Sequence, residues 1–490
     1  MTEAAPAQSK VDQTNLELWP IGNCQASALI DSEGSFLWGC VPRVDGDPIF
    51  SALLDGTDRN DAQAKGFWSI KLDGVKHIRQ HYMRNTPVLV TVQEDDAGNG
   101  IEIIDFCPRF RAKGRIYRPV AYARIVRPIG SPRIRVSLRP ATEWAKRVPD
   151  QSYGSSHITY RLAAMAMRLS TDAPIGYIIN ESMFRVERPL NFFLGPDESF
   201  ATNIGAGLRD MLDETLAEWR AWVRGLAIPF EYQDAVIRAA ITLKLCQHED
   251  TGAIVAALTT SIPEHADSGR NWDYRYCWIR DAYYTVQALN RIGALDVLEG
   301  YLEYLRNIVD SARGGHIQPL YDIRGLAELT EGEAEGLSGY RGMGPVRVGN
   351  LAYEQIQHDV YGQIVLSSVH AFADQRLFRP SGPEDFEALE RIGERALQVY
   401  DKPDAGLWEL RTRAHVHSYS AVMCWAAADR LAHAAQILGL DDREVYWREQ
   451  AAKVHADILK RSWNGDSRAI SSTFDGDDRD ASLLQLVDLR

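Results

Sequence analysis

The sequence predicts a two-part protein in which a β-sandwich precedes a domain of packed helices. Residues 16–205 hold many short runs of β-branched and aromatic residues between turn signals, which is typical of a sandwich. Residues 206–228 carry one amphipathic helical stripe, which we interpret as a linker helix. Over residues 229–490 apolar residues recur at helical spacing, and polar or glycine-rich loops separate the runs.

Composition restricts the class of protein. The 490 residues are enough for two or three domains, and 45% hydrophobic with 25% charged residues is ordinary for a globular chain. A net charge of −13 argues against nucleic acid or an anionic membrane as a partner. The sequence has no run of 18 apolar residues, so we predict no membrane span.

The cysteines and the N-terminus suggest a cytoplasmic protein. The six cysteines are scattered without a CxxC pair, so we expect reduced thiols and no zinc site. His415 and His417 would share a face of a strand, but no third ligand lies nearby, and we predict no metal site. Residues 1–15 read as a disordered lead without the basic and apolar regions of a signal peptide.

The predicted strands come in pairs around turns. Residues 26–30 and 35–38 flank a turn that ends in Gly34, and residues 88–92 and 101–104 flank a loop rich in glycine and aspartate. Further short runs continue to residue 186. Many short strands between turns favour two packed antiparallel sheets.

The predicted helices begin after the linker. They cover residues 230–248, 282–293, 294–310, 351–374, 385–400, 418–438 and 442–462, and an eighth begins near Ala481. Ala421, Ala428, Ala432 and Ala435 share a face of the helix that begins at Ser418. Small residues allow the close helix–helix approach that a double ring of helices requires.

Residues 270–281 are the most informative stretch of the chain. Two tryptophans, two tyrosines, three arginines and two aspartates, including Trp278, Arg280 and Asp281, precede an apolar helical run. Aromatic faces suit the C–H surfaces of a sugar, and charged groups hold its hydroxyls through strong hydrogen bonds. The structural alternative is that Asp281 caps the helix and that the aromatic side chains belong to the core.

Two later loops carry further polar side chains. Residues 329–350 are rich in glycine and include Tyr340 and Arg347, and residues 403–410 place Glu409 directly after Trp408. A carboxyl beside an indole is partly desolvated, and desolvation favours the protonated form that a general acid needs. Taken alone, a glutamate in such a loop is more often an exposed residue, and it is the presence of three such loops in one helical domain that favours a functional role.

These three loops resemble motifs of glycoside hydrolase family 15, the group of bacterial glucoamylases and trehalase-like enzymes. Residues 271–281 resemble its NWDYRYxWxRD signature, residues 339–350 its GYRGSxPVRxGN segment and residues 406–409 its GxWE segment. Residues 36–50 and 475–480 resemble two further family segments. Met343-Gly344 departs from the family's Ser-x, which leaves substrate preference open.

The resemblance implies an N-terminal super-β-sandwich, a linker helix and an (α/α)6 barrel, with inverting, exo-acting release of glucose from α-glucans or trehalose. It implies that Glu409 is the general acid and that Arg280 and Asp281 hold hydroxyls of the terminal glucose. Trp408 and Trp278 would be aromatic substrate contacts. Tyr340 and Arg347 would line the loop walls. No cofactor is implied.

The same resemblance implies an incomplete barrel. A twelve-helix barrel exceeds the eight predicted helices, so we expect a truncated chain whose general base lies beyond residue 490. Glu331 and Glu333 are interpreted as structural or subsite groups. An incomplete barrel would expose apolar surface, which leaves homo-oligomers open.

Three alternatives to this glucoamylase-like hydrolase remain open from the sequence. The first is a trehalase proper. The second is an inverting disaccharide phosphorylase, which needs the acid but no base and could use Arg341 and Arg347 for phosphate. The third is a catalytically inactive glycan-binding relative.

Overall fold

A computed structural model describes residues 15–312 and 315–489. The predicted disordered lead lies outside these residues except for its last position. The chain divides into two compact units. Unit 1 comprises the residues up to 246 with the segments 257–275 and 331–349, and unit 2 comprises 247–256, 276–330 and the residues from 350 onward. Two stretches that we predicted as loops of the helical domain therefore cluster with the sheets.

Unit 1 contains two antiparallel sheets. The first has seven strands in the order Trp19–Gly22, Ser27–Ile30, Phe36–Val41, Phe67–Leu72, Arg133–Arg139 and Phe184–Arg185, with Asp47–Phe50 paired to Phe36–Val41. The second has eight strands in the order Asp150–Tyr153, His157–Arg161, Ala166–Thr171, Leu190–Pro196, Tyr122–Ile129, Gly100–Phe106, Leu89–Glu94 and His77–Tyr82. Phe110–Ala112 with Arg115–Tyr117, and Gly332–Glu333 with Arg347–Val348, form two-stranded ribbons.

One core lies between the two sheets, and side-chain alternation along the strands builds it. Phe36 and Trp68 of the first sheet pack in the same buried cluster as Leu89 and Ile103 of the second. Val90, next to Leu89, faces the opposite side of its sheet, as a period of two residues requires. The predicted β-sandwich is therefore confirmed.

A buried ion pair lies in the sandwich, between two neighbouring strands of the eight-stranded sheet. Arg124 donates from Nε to Asp105 Oδ1 over 2.7 Å, and neither side chain is exposed to solvent. The guanidinium also donates to the carbonyl of Trp68 and lies 4.5 Å from the ring centroid of Phe36. The pair is thus desolvated, hydrogen-bonded and covered by aromatic rings, and burial raises the pKa of Asp105 while Arg124 opposes that rise.

The described residues of unit 1 form the helices α1 (Ile175–Ile179), α2 (Ile204–Arg224) and α3 (Gln233–Leu245). Helix α2 is the one that we interpreted as a linker. Its apolar stripe, which includes Leu208, Leu212 and Leu216, packs on the outer face of the eight-stranded sheet. A short 3-10 turn at Ala52–Leu54 and another at Tyr340–Gly342 complete the unit.

Unit 2 is helical. Its helices are α4 (Ile279–Arg291), α5 (Leu295–Ala312), α6 (Asp359–Ser368), α7 (His370–Ala373), α8 (Pro383–Val399), α9 (Ser418–Leu438), α10 (Asp441–Ser462) and α11 (Leu486–Leu489). Its 3-10 turns are Leu351–Glu354 and Ala481–Gln485, and its two-residue strands are Cys277–Trp278, Leu320–Tyr321, Trp463–Asn464 and Ala469–Ile470.

Helices α6 and α9 are buried over most of their length, whereas α4, α5, α8 and α10 each bury one face. Helix α6 contacts α4 on one side and α9 on the other, and α9 also packs against α8 and α10. Buried alanines at positions 421, 428, 432 and 435 allow this approach. The arrangement confirms the predicted helical domain of two layers. No helix within 15–312 and 315–489 is both long and apolar enough to cross a membrane.

The prediction of one helix over residues 351–374 is wrong. The chain makes a 3-10 turn at Leu351–Glu354, becomes extended at Gln355 and begins α6 only at Asp359. The amide side chains of Gln355 and Gln357 bind each other, with Nε2 of Gln357 donating to Oε1 of Gln355 over 3.0 Å. This break places both amides beside Glu409 on another loop, where Gln357 donates to the carboxyl and Gln355 to the backbone carbonyl.

Candidate active site

The candidate site lies in unit 2, where three segments meet. They are the residues that lead into α4, the extended residues before α6 and the loop 403–410 before α9. Their side chains converge on the carboxyl of Glu409. The site is thus built from positions that are far apart in sequence and that helices hold in place.

The Glu409 carboxyl is held through one oxygen. Oε1 accepts hydrogen bonds from Trp278 Nε1 over 2.7 Å, from Arg280 Nη2 over 2.8 Å and from Gln357 Nε2 over 3.2 Å. Among the described residues, every hydrogen bond recorded for this carboxyl goes to Oε1. The donors therefore set the direction of the group, and Oε2 accepts no side-chain hydrogen bond from the described residues.

Arg280 is the cation at the centre of the site. Its Nη1 donates to Gln357 Oε1 over 2.7 Å and lies 3.5 Å from Oδ2 of the buried Asp359. Burial by itself would lower the pKa of the guanidinium, but the carboxylates of Asp359 and Glu409 raise it above its ordinary value. Arg280 is therefore a permanent positive charge whose two amino groups have separate partners.

Asp281 is the accessible carboxylate beside Arg280. It lies in the first turn of α4, its Oδ2 is 3.9 Å from Nε of Arg280, and its side chain is 45% exposed. A helix N-terminus stabilises an acidic side chain at this position. Burial nevertheless raises the pKa of Asp281, and Arg280 opposes that rise. The partly exposed side chain can accept hydrogen bonds from a ligand, whereas Oδ2 of the buried Asp359 accepts from Gln363 Nε2 over 2.7 Å.

The loop 403–410 reaches the site through an unusual backbone. Glu409 has a φ of +55°, in the left-handed region, which costs a non-glycine residue free energy. Gly406 also has a positive φ, and a Cβ at this position would lie 2.6 Å from the His417 ring. Nε2 of Gln355 donates to the carbonyl oxygen of Glu409 over 3.4 Å.

Asp404 anchors the start of the same loop. Its Oδ2 accepts from the backbone N–H of His358 over 2.8 Å and from the hydroxyl of Ser420 over 2.7 Å, which ties the loop to the starts of α6 and α9. Burial raises the pKa of Asp404 to about 7, and the nearby charge of Asp359 adds to the rise. This carboxyl touches no described donor of the Glu409 cluster, so it acts on the loop backbone.

The two predicted tryptophans have different environments. The Trp278 ring is 2% exposed, and its contact with Glu409 is the N–H hydrogen bond rather than an open face. The Trp408 ring is 56% exposed, and its N–H donates to Asp480 Oδ2 over 2.6 Å. The neighbour of the Glu409 carboxyl is therefore the indole of Trp278, and the indole available to a ligand is that of Trp408.

Tyr340 and Arg347 belong to unit 1. Tyr340 is buried in the cluster of Leu337 and Val346. Arg347 Nη1 lies 3.0 Å from Glu331 Oε1 and 3.7 Å from Glu333 Oε1. The structure thus gives Arg347 two carboxylate partners, which disfavours it as a phosphate ligand and agrees with a structural role for Glu331 and Glu333.

The signature stretch 270–281 is divided between the two units. Arg275 and Asp273 form a fully buried pair in unit 1, and Arg275 Nη1 donates to the carbonyl of Gly46 over 2.7 Å. Only the second half, with Trp278, Arg280 and Asp281, groups with Glu409 in unit 2. The first half therefore fits the structural alternative that we considered for the whole stretch.

Sequence reasoning missed several residues of this cluster. Gln355 and Gln357 carry no local pattern that marks them, and Asp404 reads as an ordinary loop aspartate. Asp480 lies in a segment that the resemblance had marked, but its contact with Trp408 depends on the fold. Among the described residues, no group of three or more His, Cys, Asp or Glu side chains could hold a metal ion.

Comparison with known proteins identifies the family of this chain and similar proteins that are named trehalases. The family model of Glycosyl hydrolases family 15 matches residues 231–490. A trehalase of Thermoplasma volcanium is 29% identical over 95% of this chain and 74% of its own length. A trehalase of Mycolicibacterium smegmatis is 29% identical over 95% of this chain and 73% of its own length.

A solved structure has a similar fold. The crystal structure of a bacterial glucoamylase complexed with acarbose matches with a TM-score of 0.63. The match covers 98% of this chain and 73% of that chain at 11% sequence identity. It supports the sandwich and helical-barrel fold and carries no information on substrate.

Proposed function

Because this chain belongs to glycosyl hydrolases family 15 and is therefore a glycoside hydrolase, we propose that it hydrolyses trehalose with inversion at one anomeric carbon. Two relatives that match nearly the whole chain bear the name trehalase. The observation that carries the proposed mechanism is the convergence of three donors on one oxygen of Glu409.

Glu409 is the general acid in this proposal. Its Oε2 gives a proton to the glycosidic oxygen while the bond from that oxygen to C1 of the first glucose breaks. Trp278, Arg280 and Gln357 hold Oε1, so the carboxyl is already oriented before a substrate arrives. Orientation of this kind lowers the entropic part of the barrier.

Arg280 and Asp281 bind the first glucose. The partly exposed carboxylate of Asp281 accepts hydrogen bonds from sugar hydroxyls, and the fixed charge of Arg280 favours the ionised form that makes these bonds strong. Inversion needs a second carboxylate about 6.5–9.5 Å from the acid, with a water molecule that attacks C1 from the opposite face. We name Glu409 as the acid, and we name no base.

Proton NMR of the anomeric signals tests the reaction. Inverting hydrolysis of trehalose yields one β-glucose, from the attacked unit, and one α-glucose, from the departing unit, in equal initial amounts. Hydrolysis with retention would give α-glucose alone. Faster release from maltotriose would indicate glucoamylase-like specificity, and a product of glucose 1-phosphate that depends on phosphate would indicate a phosphorylase.

The acid is tested by Glu409→Gln beside Glu394→Gln, a control on the exposed side of α8. General acid catalysis contributes about 10²–10⁴ in rate, so Glu409→Gln should lose that factor in kcat and still bind trehalose. Glu394→Gln should match the parent chain. A Glu409→Gln variant with near-parental turnover would remove Glu409 from the mechanism.

A further inference from the structure

Asp480 holds the exposed indole beside the acid. Its two oxygens have separate partners: Oδ1 accepts from the backbone N–H of Ser482 over 2.7 Å, and Oδ2 accepts from Trp408 Nε1 over 2.6 Å. Burial by itself would raise the pKa of Asp480, but these hydrogen bonds lower it overall. An ionised acceptor makes the contact with the indole a strong one.

Trp408 and Glu409 are neighbours in sequence, but their side chains are bound by different residues. Glu409, with its positive φ, directs its carboxyl to Trp278, Arg280 and Gln357. Trp408, one residue earlier, is fixed by a residue 72 positions away. The acid and the indole are therefore oriented independently, so a change at Asp480 can move the ring without moving the carboxyl.

In the proposed mechanism, the exposed ring of Trp408 is next to the departing glucose. In the proposed mechanism Arg280 and Asp281 take hydroxyls of the first glucose, and Glu409 reaches the glycosidic oxygen. An aromatic face next to that acid is available to the C–H surface of the departing glucose. Trp278 cannot supply such a face, because its ring is buried.

We propose that Asp480 is a positioning residue that fixes Trp408 as one wall of the subsite for the departing glucose. This inference rests on the proposed function and concerns the affinity for the second sugar. A purely structural role for Asp480 is the competing explanation, because Asp480 also caps the 3-10 turn Ala481–Gln485. The two roles use different oxygens and can be separated.

Binding measurements in the inactive Glu409→Gln background separate them without turnover. The probes are trehalose, which occupies both sugar subsites, and glucose, which occupies the first. The variants are Asp480→Asn, Trp408→Phe and the two combined, with Asp477→Asn as control. Asp477 lies on the same segment, and within the part of the chain that the structure describes its carboxyl accepts a hydrogen bond only from Asn464, outside the site. The dissociation constants are measured by calorimetry.

We expect Asp480→Asn to weaken trehalose binding about tenfold and to leave glucose binding within twofold. Ser482 and Trp408 donate to different oxygens of Asp480, and asparagine replaces one of these oxygens by an NH2 group, which cannot accept. Trp408→Phe keeps an aromatic ring but removes the N–H, and it should weaken trehalose binding by a similar factor. The combined variant should then be no weaker than either single variant, because both changes remove the same interaction.

Three results would overturn the inference while the proposed function stands. They are unchanged trehalose binding in Asp480→Asn, multiplied losses in the combined variant, or equal losses for glucose and trehalose. Multiplied losses would show that Asp480 acts through the cap of Ala481–Gln485. If the Glu409→Gln chain binds neither trehalose nor glucose, the proposed function itself fails, and the inference fails with it.

Discussion

The buried indole of Trp278 donates a 2.7 Å hydrogen bond to Oε1 of Glu409, which lies 131 residues later in the chain. The ring is almost inaccessible to solvent, so packing fixes the donor in place. A donor that is fixed in place keeps the carboxyl in one orientation, so the carboxyl does not have to reorient during each reaction cycle.

Replacement of Trp278 by phenylalanine should therefore slow the reaction more than it weakens binding. The change keeps a buried ring and removes one hydrogen bond to an ionisable group, which is worth about 1.5–3 kcal/mol. We expect kcat for trehalose to fall by about 10–100-fold with little change in KM.

Trp447→Phe is the matched control, because that buried indole also donates to a carboxylate, Glu390 Oε1 over 2.7 Å, outside the site. Both variants should lose some stability, but only Trp278→Phe should lose activity. Equal kcat values in the two variants would contradict the role given to Trp278.

Asp404 should make stability depend on pH. Its pKa rises from 3.8 to about 7 in the folded chain, so the folded state keeps a proton that the unfolded chain releases in this window. The favourable contribution is present in full below about pH 4 and is lost as pH rises to about 7. The change amounts to at most about 4 kcal/mol.

Asp404→Asn should remove that dependence, apart from a constant offset due to its buried amide. The readout is the difference in unfolding free energy between the variant and the parent, from urea titrations at pH 4 to 8. Asp374→Asn is the control, because a hydrogen bond from Arg376 holds the pKa of Asp374 at about 2, and its difference from the parent should stay nearly constant above about pH 5. A difference for Asp404→Asn that stays constant with pH would refute the assignment.

Removal of one partner of the buried ion pair should lower the free energy of unfolding strongly, whereas replacement of both partners by apolar residues should lower it much less. Arg124→Met leaves the Asp105 carboxyl buried without its cation, and we expect a loss of about 3–5 kcal/mol in unfolding free energy. The double variant Arg124→Met with Asp105→Leu should recover much of that loss, because no buried charge remains.

A neighbouring pair provides the control for this prediction. Arg127 lies on the same strand, but its bond with Glu102 is partly exposed, and Arg127→Met should cost no more than about 1 kcal/mol. Urea unfolding followed in the sandwich would show the contrast. Additive losses from the two single changes in the core would argue against a coupled pair.

The sequence predicted those parts of the fold that local patterns determine. The helix Ser418–Leu438 was predicted with its observed bounds, because small and apolar residues recur at helical spacing and a glycine follows. The sandwich followed from alternation and turns. The prediction of a helix over 351–374 was wrong because Gln355 and Gln357 are compatible with a helix by their local sequence. Their extended conformation is tied to contacts with distant residues, namely those of both amides with Glu409 and that of Gln357 with Arg280.

The candidate site was predicted in part. Arg280, Asp281 and Glu409 could be identified from motifs, and the structure brings them together. The different roles of Trp278 and Trp408 could not be predicted from motifs. Burial distinguishes these two residues, and burial is a property of the whole fold. The roles of Tyr340 and Arg347 as substrate contacts stay predictions. The structure places both residues in unit 1, and a glycine-rich loop does not indicate in advance which unit it joins.

At position 409, the residue that would be best for stability differs from the residue that catalysis needs, because the backbone there is left-handed. Glycine adopts a φ of +55° without the steric cost that a side chain incurs, so it is the residue that would suit this turn best. Replacement of the acid by glycine would relax the loop while it removes the reaction. A screen of variants for thermal resistance alone would therefore favour loss of this carboxyl, and only a screen that also demands turnover would keep it.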